Sequence, residues 1–536
     1  MATFDVYCDP NPGQTLRADS ITSVSGGIGT TANNSAILGG PLSTTGTHTV
    51  SADLSVIVMG EGNSISTFGA VNGIHNSIVN GSSNSLSGNY TSIFNGDANN
   101  VTGEYSTIVN GSGSTAIGTH LFIGAGPNNS INSSSASPIN SSIVGGSGNA
   151  ICDDGVNSPS GNFIGGGISN TICSFSSSVV GGVTNSICAA RSFIGGGYNH
   201  LIDVNSADSV IVGGWINIMD GSCSYIGGGQ SNQVLGSFSA VVTGCENLSS
   251  SNSTASFVGG GLKNSINAST SLIGGGDTNT LNGGSANFIV GGTQNTIFTS
   301  HGIPFIEASG IGGGALNCIT DDGNIPGNYS FIGGGNNNSI YTQGSFIGSG
   351  CENAIWGKDS SIVGGDTNTI NLLSARSFIG GGCANIIGTT GMCGSCLGII
   401  TGGSNNCVET DASADTFYNV IGGGNTNWIS AGSSYGVIGG GENNLVRPGT
   451  THSSIFSGQN NTVSGNCSSI LGGANNADGG FSFVGIHGDS VTGVMDCAFH
   501  ANTYVAQNMP DQTMAGSLPS GALYYDTSTN IVYRVP

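Results

Sequence analysis

The sequence predicts an all-β chain folded as a parallel β-solenoid, and three observations carry that expectation. The first is an internal repeat. SFIGGGNNNSI at Ser330–Ile340 recurs as NFIGGGISNTI at Asn162–Ile172, SFIGGGYNHLI at Ser192–Ile202, SFVGGGLKNSI at Ser256–Ile266, SLIGGGDTNTL at Ser271–Leu281 and SFIGGGCANII at Ser377–Ile387. The second is its period. With the Asn near the end of each copy as the mark, the commonest step between Asn99 and Asn476 is 15 residues and the longest is 22. A fixed period of this kind is the signature of stacked coils, each one supersecondary unit. The third is composition: 96 glycines and 7% charged residues, with no apolar spacing of 3.6, leave no basis for helices.

Within one copy, Phe331, Ile332 and Ile340 stand at fixed register, which argues for a buried apolar stack rather than disorder. Phe-Ile and the later Ile read as short strand segments, and Gly-Gly-Gly between them permits a turn with positive φ. The Asn reads as a second corner, since Asn tolerates the left-handed region and its amide can bond the Asn above and below. Asn170, Asn185, Asn232, Asn264, Asn279, Asn338, Asn353, Asn368 and Asn385 are therefore expected to form a structural turn ladder, with His200 substituting in the same register. The longer steps imply loops inserted at one corner. A 15-residue coil is short for a chain that must enclose its own core. Coils with one apolar side are expected to be completed by neighbours, in an intertwined or side-by-side homotrimer.

Three segments follow from the register. Residues 1–50 do not keep it and read as an N-terminal cap or anchor, residues 51–480 as the solenoid shaft, and residues 481–536 as a C-terminal cap or tip. In the last of these, LPSGALYYDTSTNIVYRVP places β-prone residues on both sides of a Thr-Ser-Thr-Asn turn, which predicts a terminal hairpin.

Charge removes several function classes. A net charge of −22 with two lysines, Lys263 and Lys358, leaves no clustered cations to neutralise phosphates or an anionic membrane surface. Neither nucleic-acid binding nor membrane insertion is expected, since no run approaches about 18 apolar residues. The opening MATFDVYCDPNPGQTLRADS lacks a basic region followed by an apolar one, so no signal peptide is read there. The expected location is a virion surface or the extracellular side, reached by assembly in a host cytoplasm. Sequons at Asn80, Asn89 and Asn110 would permit glycans where the machinery exists.

The signature Ser, apolar pair, Gly and Asn at 15-residue spacing resembles the head repeats of trimeric autotransporter adhesins, the YadA-like heads, over roughly residues 56–480. Those heads usually show Ala and single Gly where this chain has Gly-Gly-Gly and Asn, and neither stalk heptads nor an anchor barrel is seen. The ending, with FHANTYVAQN and LPSGALYYDTSTNIVY, is similar to tails of phage and large-DNA-virus fibre proteins. Together the resemblances imply three chains in a shared parallel β-roll, projecting as a fibre or spike.

Candidate chemistry is sparse. No Gly-Lys-Ser/Thr follows any glycine run, so these are turns and not phosphate loops. The nine-residue Asp-bearing repeat of calcium β-rolls is absent. Asp153 and Asp154, and Asp321 and Asp322, sit in inserted loops beside Cys152 and Cys318 and are weak metal candidates without a full ligand set. Glu409, Asp411 and Asp415 follow Cys407 in the same manner. Of 14 cysteines, Cys152, Cys173 and Cys188 share a register, where a stack about 4.8 Å apart permits a disulfide; buried thiols fit equally. Cys393 and Cys396, with Cys383 and Cys407 near, allow a loop staple or a metal knuckle. His487 and His500, near Asp496 and Cys497, form no diagnostic spacing. No cofactor and no catalytic set is expected. The functional expectation is a structural, adhesive fibre or spike of a virion or cell surface. Its partners are its own copies, a capsid or other surface protein at one end, and a host receptor or glycan. The alternative is a tailspike-like β-helix that degrades polysaccharide, which needs converging carboxylates.

Overall fold

The structure is a computed structural model. It describes residues 48–66, 75–132, 139–152, 159–299, 306–372, 374–388, 397–409 and 418–501, together with strand backbone at 29–30, 36–37, 508–509, 523–526 and 531–534. Every regular element among these residues is a β-strand. The chain forms two compact units, Met1–Thr278 and Asn279–Pro536, each a parallel β-solenoid.

In the first unit, the coil that begins at Ser177 shows how the repeat becomes structure. Ser178–Val179 is one strand and Ser186–Ile187 the other, and each pairs in parallel with its equivalent one coil on, Phe193–Ile194 and Leu201–Ile202. Successive residues of a strand point to opposite faces. Val179 and Ile187 therefore point inward and are fully buried, while Ser178 and Ser186 point outward. Between the strands lie two different corners. Gly182 at φ 92° makes the first, where a Cβ would run into the Gly197 carbonyl oxygen of the next coil.

Two residues per coil adopt the left-handed region without being glycine, Thr184 at φ 55° and Arg191 at φ 53°. Such a conformation costs on the order of 1 kcal/mol each. It persists because it turns the N–H back to the preceding coil. Thr184 donates to the Ile168 carbonyl at 2.8 Å and Arg191 to the Phe175 carbonyl at 3.1 Å, while strand N–H groups donate forward. The sequence reading gave the left-handed conformation to the ladder Asn itself. It belongs to the residue before it, as at Asn337 (φ 57°), which leaves Asn338 free to point inward.

The second unit repeats the same coil. Phe331–Ile332 and Ser339–Ile340 pair with Phe346–Ile347 and Ala354–Ile355. Ile332 and Ile340 are fully buried, but Phe331 is only half-buried, and Phe346 and Phe378 are 39% and 37% exposed. The expectation of Phe331 within the buried stack is thus corrected. Adjacent strand residues cannot both face the core, and the Ile takes the inward place. Extra residues of long coils fall between the second strand and the next Ser corner, as between Ile319 and Ser330.

Both inward columns reach zero exposure within the single chain, for example Ile164, Ile172, Ile194 and Ile202. The premise behind a shared core was a coil with one uncovered apolar side. That premise does not hold: one inward aliphatic per strand, closed by two polar corners, fills a core narrow enough for 15 residues to enclose.

Parallel pairing also reaches outside residues 51–480. Gly29–Thr30 and Ala36–Ile37 pair with Thr49–Val50 and Val56–Ile57, and Gly485–Asp489 pairs with Ser469–Ala474 and Phe499–Ala501. A two-residue ladder needs backbone register, not the triple glycine that marked the shaft boundaries. Leu523–Asp526 and Ile531–Arg534 pair antiparallel, with Asn508–Met509 alongside, in a separate three-stranded sheet.

Candidate binding faces

The Asn register is an internal ladder. Asn170, Asn185, Asn232 and Asn264 of the first unit, and Asn279, Asn338, Asn353, Asn368 and Asn385 of the second, are all fully buried. Asn185 is typical. Its backbone N–H donates to Asn170 Oδ1 at 3.1 Å, and its Nδ2 donates to Asn170 Oδ1 at 3.0 Å, Gly181 O at 3.0 Å and Gly197 O at 3.2 Å. Asn338 makes the same four contacts with Asn317, Gly334 and Gly350. Amides engaged in this way hold coils together and face no ligand.

A second ladder, which sequence reasoning did not assign, occupies the other corner. Ser177, Ser192, Ser209, Ser224 and Ser239 are buried, and each hydroxyl accepts from the next backbone N–H, as Ser224 Oγ does from Ser239 N at 3.1 Å. Ser224 Oγ donates onward to Gly236 O at 3.1 Å. The recurring Ser that opens each motif was the available signal.

His200 stands in the Asn ladder. Its N–H donates to Asn185 Oδ1 and its Nδ1 accepts from Asn217 N, but its buried Nε2 lacks a partner in hydrogen-bond geometry. Burial is the main cause that lowers its pKa, partly offset by the Gly214 and Asn217 backbone.

The loop carboxylates bind their own backbone. Asp321 Oδ1 accepts from Gly323 N at 3.0 Å, and Asp322 Oδ1 accepts from Asn324 N at 2.8 Å and Ile325 N at 2.7 Å, the self-bonded turns that Asp favours. Asp153, Asp154, Asp411 and Asp415 lie outside the described residues, as do Cys393 and Cys396. Another carboxylate, Asp478, is fully buried and accepts from Ser464, Gly465 and Gly480 N–H groups near the end of the regular array. Nothing in its local sequence marked it.

Cys152 and Cys173 form a disulfide between adjacent coils, with Cα atoms 4.6 Å apart, and Cys188 is a free thiol in the following coil of that column. Burial pushes the Cys318 thiol up to about 11 and the Cys407 thiol, also beside Glu409, up to about 12, so both stay protonated at neutral pH.

What remains is on the outside. Around the rim of the first unit, His75, Tyr90, Tyr105 and His120 stack with ring centroids 5.3, 5.0 and 4.9 Å apart. An open groove of about 750 Å³ runs past Glu61, Asn80, Ser82, Asn95 and Asp97. Glu61 and Asp97 are two coils apart, with Ser82 between them donating to Asp97 at 2.5 Å. The sheet that carries Phe163 and Phe193 turns its aromatic side chains to solvent. The chain matches no protein-family model, and no curated protein is similar to it.

Proposed function

We propose that the chain is a structural and adhesive protein, a fibre or spike component of a virus particle or cell surface. The observation that carries this reading is how polar chemistry is spent: the repeated Asn and Ser groups bond coil to coil inside, and what repeats outside is broad strand surface. Such a chain offers a partner its faces. Under this reading one end meets a capsid or other surface protein and the array meets a host receptor or glycan. Several copies, three by the resemblance in the repeats, stand side by side. Because each coil encloses its own core, the copies need not be intertwined. Antibody labelling of intact particles or cells, together with binding of the purified chain to host cells, tests it. Label only on disrupted material, with no cell binding, overturns it.

The groove favours one competing reading. Glu61 and Asp97 line it two coils apart, which places two carboxylates along one cleft, the kind of pair that glycoside hydrolysis uses. Release of reducing ends from host polysaccharides, lost in Glu61→Gln, would establish hydrolysis; binding without cleavage removes it.

A further inference from the structure

We infer that the outward face of the Phe-bearing sheet in the first unit is a contact surface for a second copy of this chain. The face consists of the residues before and after each buried aliphatic, from Ser92 and Phe94 to Leu272 and Gly274. None of these residues is charged, in a chain that carries 29 acidic side chains and a net charge of −22. At the adjoining rim, Arg191 and Asp208 stand exposed but neutralise each other through two contacts of 2.7 Å, Nε to Oδ1 and Nη2 to Oδ2. Two copies of an acidic protein repel through most of their surface. Here they can approach without opposing like charge.

The relief of the face points to the same partner. Phe163, Phe193, Tyr225 and Phe257 project from alternate coils, 37–40% exposed, and the residue beyond the inward aliphatic on those coils is glycine. The Phe193 ring lies over that glycine: a Cβ on Gly195 would sit 3.4 Å from its Cε1. On the intervening coils the pattern inverts, and Val180, Val212 and Val242 project from the other edge. Knobs and recesses therefore alternate with a period of two coils, about 9.6 Å. A second copy has that same period, so one registered contact brings the rest into register.

The extent is adequate. About 12 coils at ~4.8 Å, each ~10 Å across, give a footprint near 600 Å², of the order of the ~800 Å² per partner in a specific interface. This inference deepens one part of the reading above, the side-by-side copies, by naming the face through which they meet, and is independent of where the protein is displayed.

The test is the mass of the full-length chain in solution, by sedimentation or native mass spectrometry. The wild type is expected at a multiple of 53.0 kDa. Phe193→Asp with Phe257→Asp should weaken association by ~100-fold or more, since charge would be buried at the contact. Ser178→Trp, which fills the recess between Phe163 and Phe193 without adding charge, should weaken it as well. Thr171→Asp with Gln233→Asp, on the outward face of the other sheet, should leave the mass unchanged. Circular dichroism and protease resistance equal to wild type confirm that each variant is folded. A wild type that stays at one chain up to about 100 μM overturns the inference, and leaves the face to a partner such as a glycan. Variants that keep the wild-type mass overturn it too. Absence of the protein from particle surfaces would defeat the surface reading and leave this result standing.

Discussion

The two sheets of the first unit have matching insides and unlike outsides. Inward, both present a column of Ile, Val or Leu at zero exposure, broken rarely, as by Ala116, Met219 and Ser249. Outward, beside the buried aliphatics, one sheet shows Phe, Val, Ser and Gly without charge from Ser92 to Gly274; the other carries Asp203, Asp220, the disulfide Cys152–Cys173 and the thiol of Cys188. The inward columns are interchangeable because both meet the same demand, which is to fill a narrow dry core. The outward columns answer to no such demand, so their difference reports what each face meets.

That contrast can be broken from the inside first. Ile226→Ala, at a fully buried position, should cost about 2–5 kcal/mol from lost transfer and a cavity. Asn232→Leu should cost about as much, since it strands the Gly228 carbonyl and the Asn247 N–H at about 1–3 kcal/mol each and leaves the Gly244 carbonyl with the Gln230 N–H alone. Because a solenoid unfolds in segments, these losses are read as local hydrogen exchange around the altered coil. Exchange no faster than wild type there would mean that neighbouring coils carry the ladder alone.

An intermediate effect is expected where the outside ties coils together. Cys152→Ser opens a loop with a sequence separation of 21 residues, worth roughly 3 kcal/mol in the chain-entropy account. The loss should appear under oxidising conditions and vanish in excess dithiothreitol. Peptide mapping of this variant should also show whether Cys173 then pairs with Cys188, its neighbour in the column.

Ser224→Ala tests the second corner and should cost about 1–2 kcal/mol, because it removes the hydroxyl's bonds to the Ser239 N–H and the Gly236 carbonyl, whereas the Asn change also takes a donor from Gly244 and an acceptor from the Asn247 amide. His200→Asn runs the other way. It supplies the amide that the neighbouring coils use and should stabilise the unit by about 1 kcal/mol at neutral pH. The pH dependence sharpens this. The folded pKa of His200 is lowered by burial, so its unfolded form, near 6.5, binds protons first. Stability is full above pH 6.5 and falls as pH drops through that value toward the lowered folded pKa. The Asn variant should lack that decline. The smallest effect belongs to the outside: Thr171→Lys should change stability by no more than about 0.5 kcal/mol.

Much of the fold was legible in the sequence because a repeat states each constraint many times over. The 15-residue step, the Ile at the end of each copy and the Asn beside it needed no tertiary information. The Ser ladder was equally periodic, yet its role was missed because Ser is common at surfaces and gives no burial signal by itself. Phe331 was misplaced for a related reason. Hydrophobicity suggests burial, whereas strand alternation lets only one of Phe331 and Ile332 face inward. Asp321 and Asp322 could be seen as oxygen donors, but whether they face a cation or their own loop depends on backbone torsions that no spacing encodes.

By itself, then, the sequence determined a parallel β-solenoid of short coils with an Asn ladder, since period and composition leave no other way to bury the apolar residues and satisfy the backbone. Only the tertiary structure decided which of two adjacent apolar residues forms the core, and that the core closes within one chain. It also decided that Cys152 meets Cys173 and that the positions flanking the buried aliphatics of one sheet gather into an outward face without charge. Each of these depends on which face a side chain leaves from and on what stands one coil above it, and those are relations between coils.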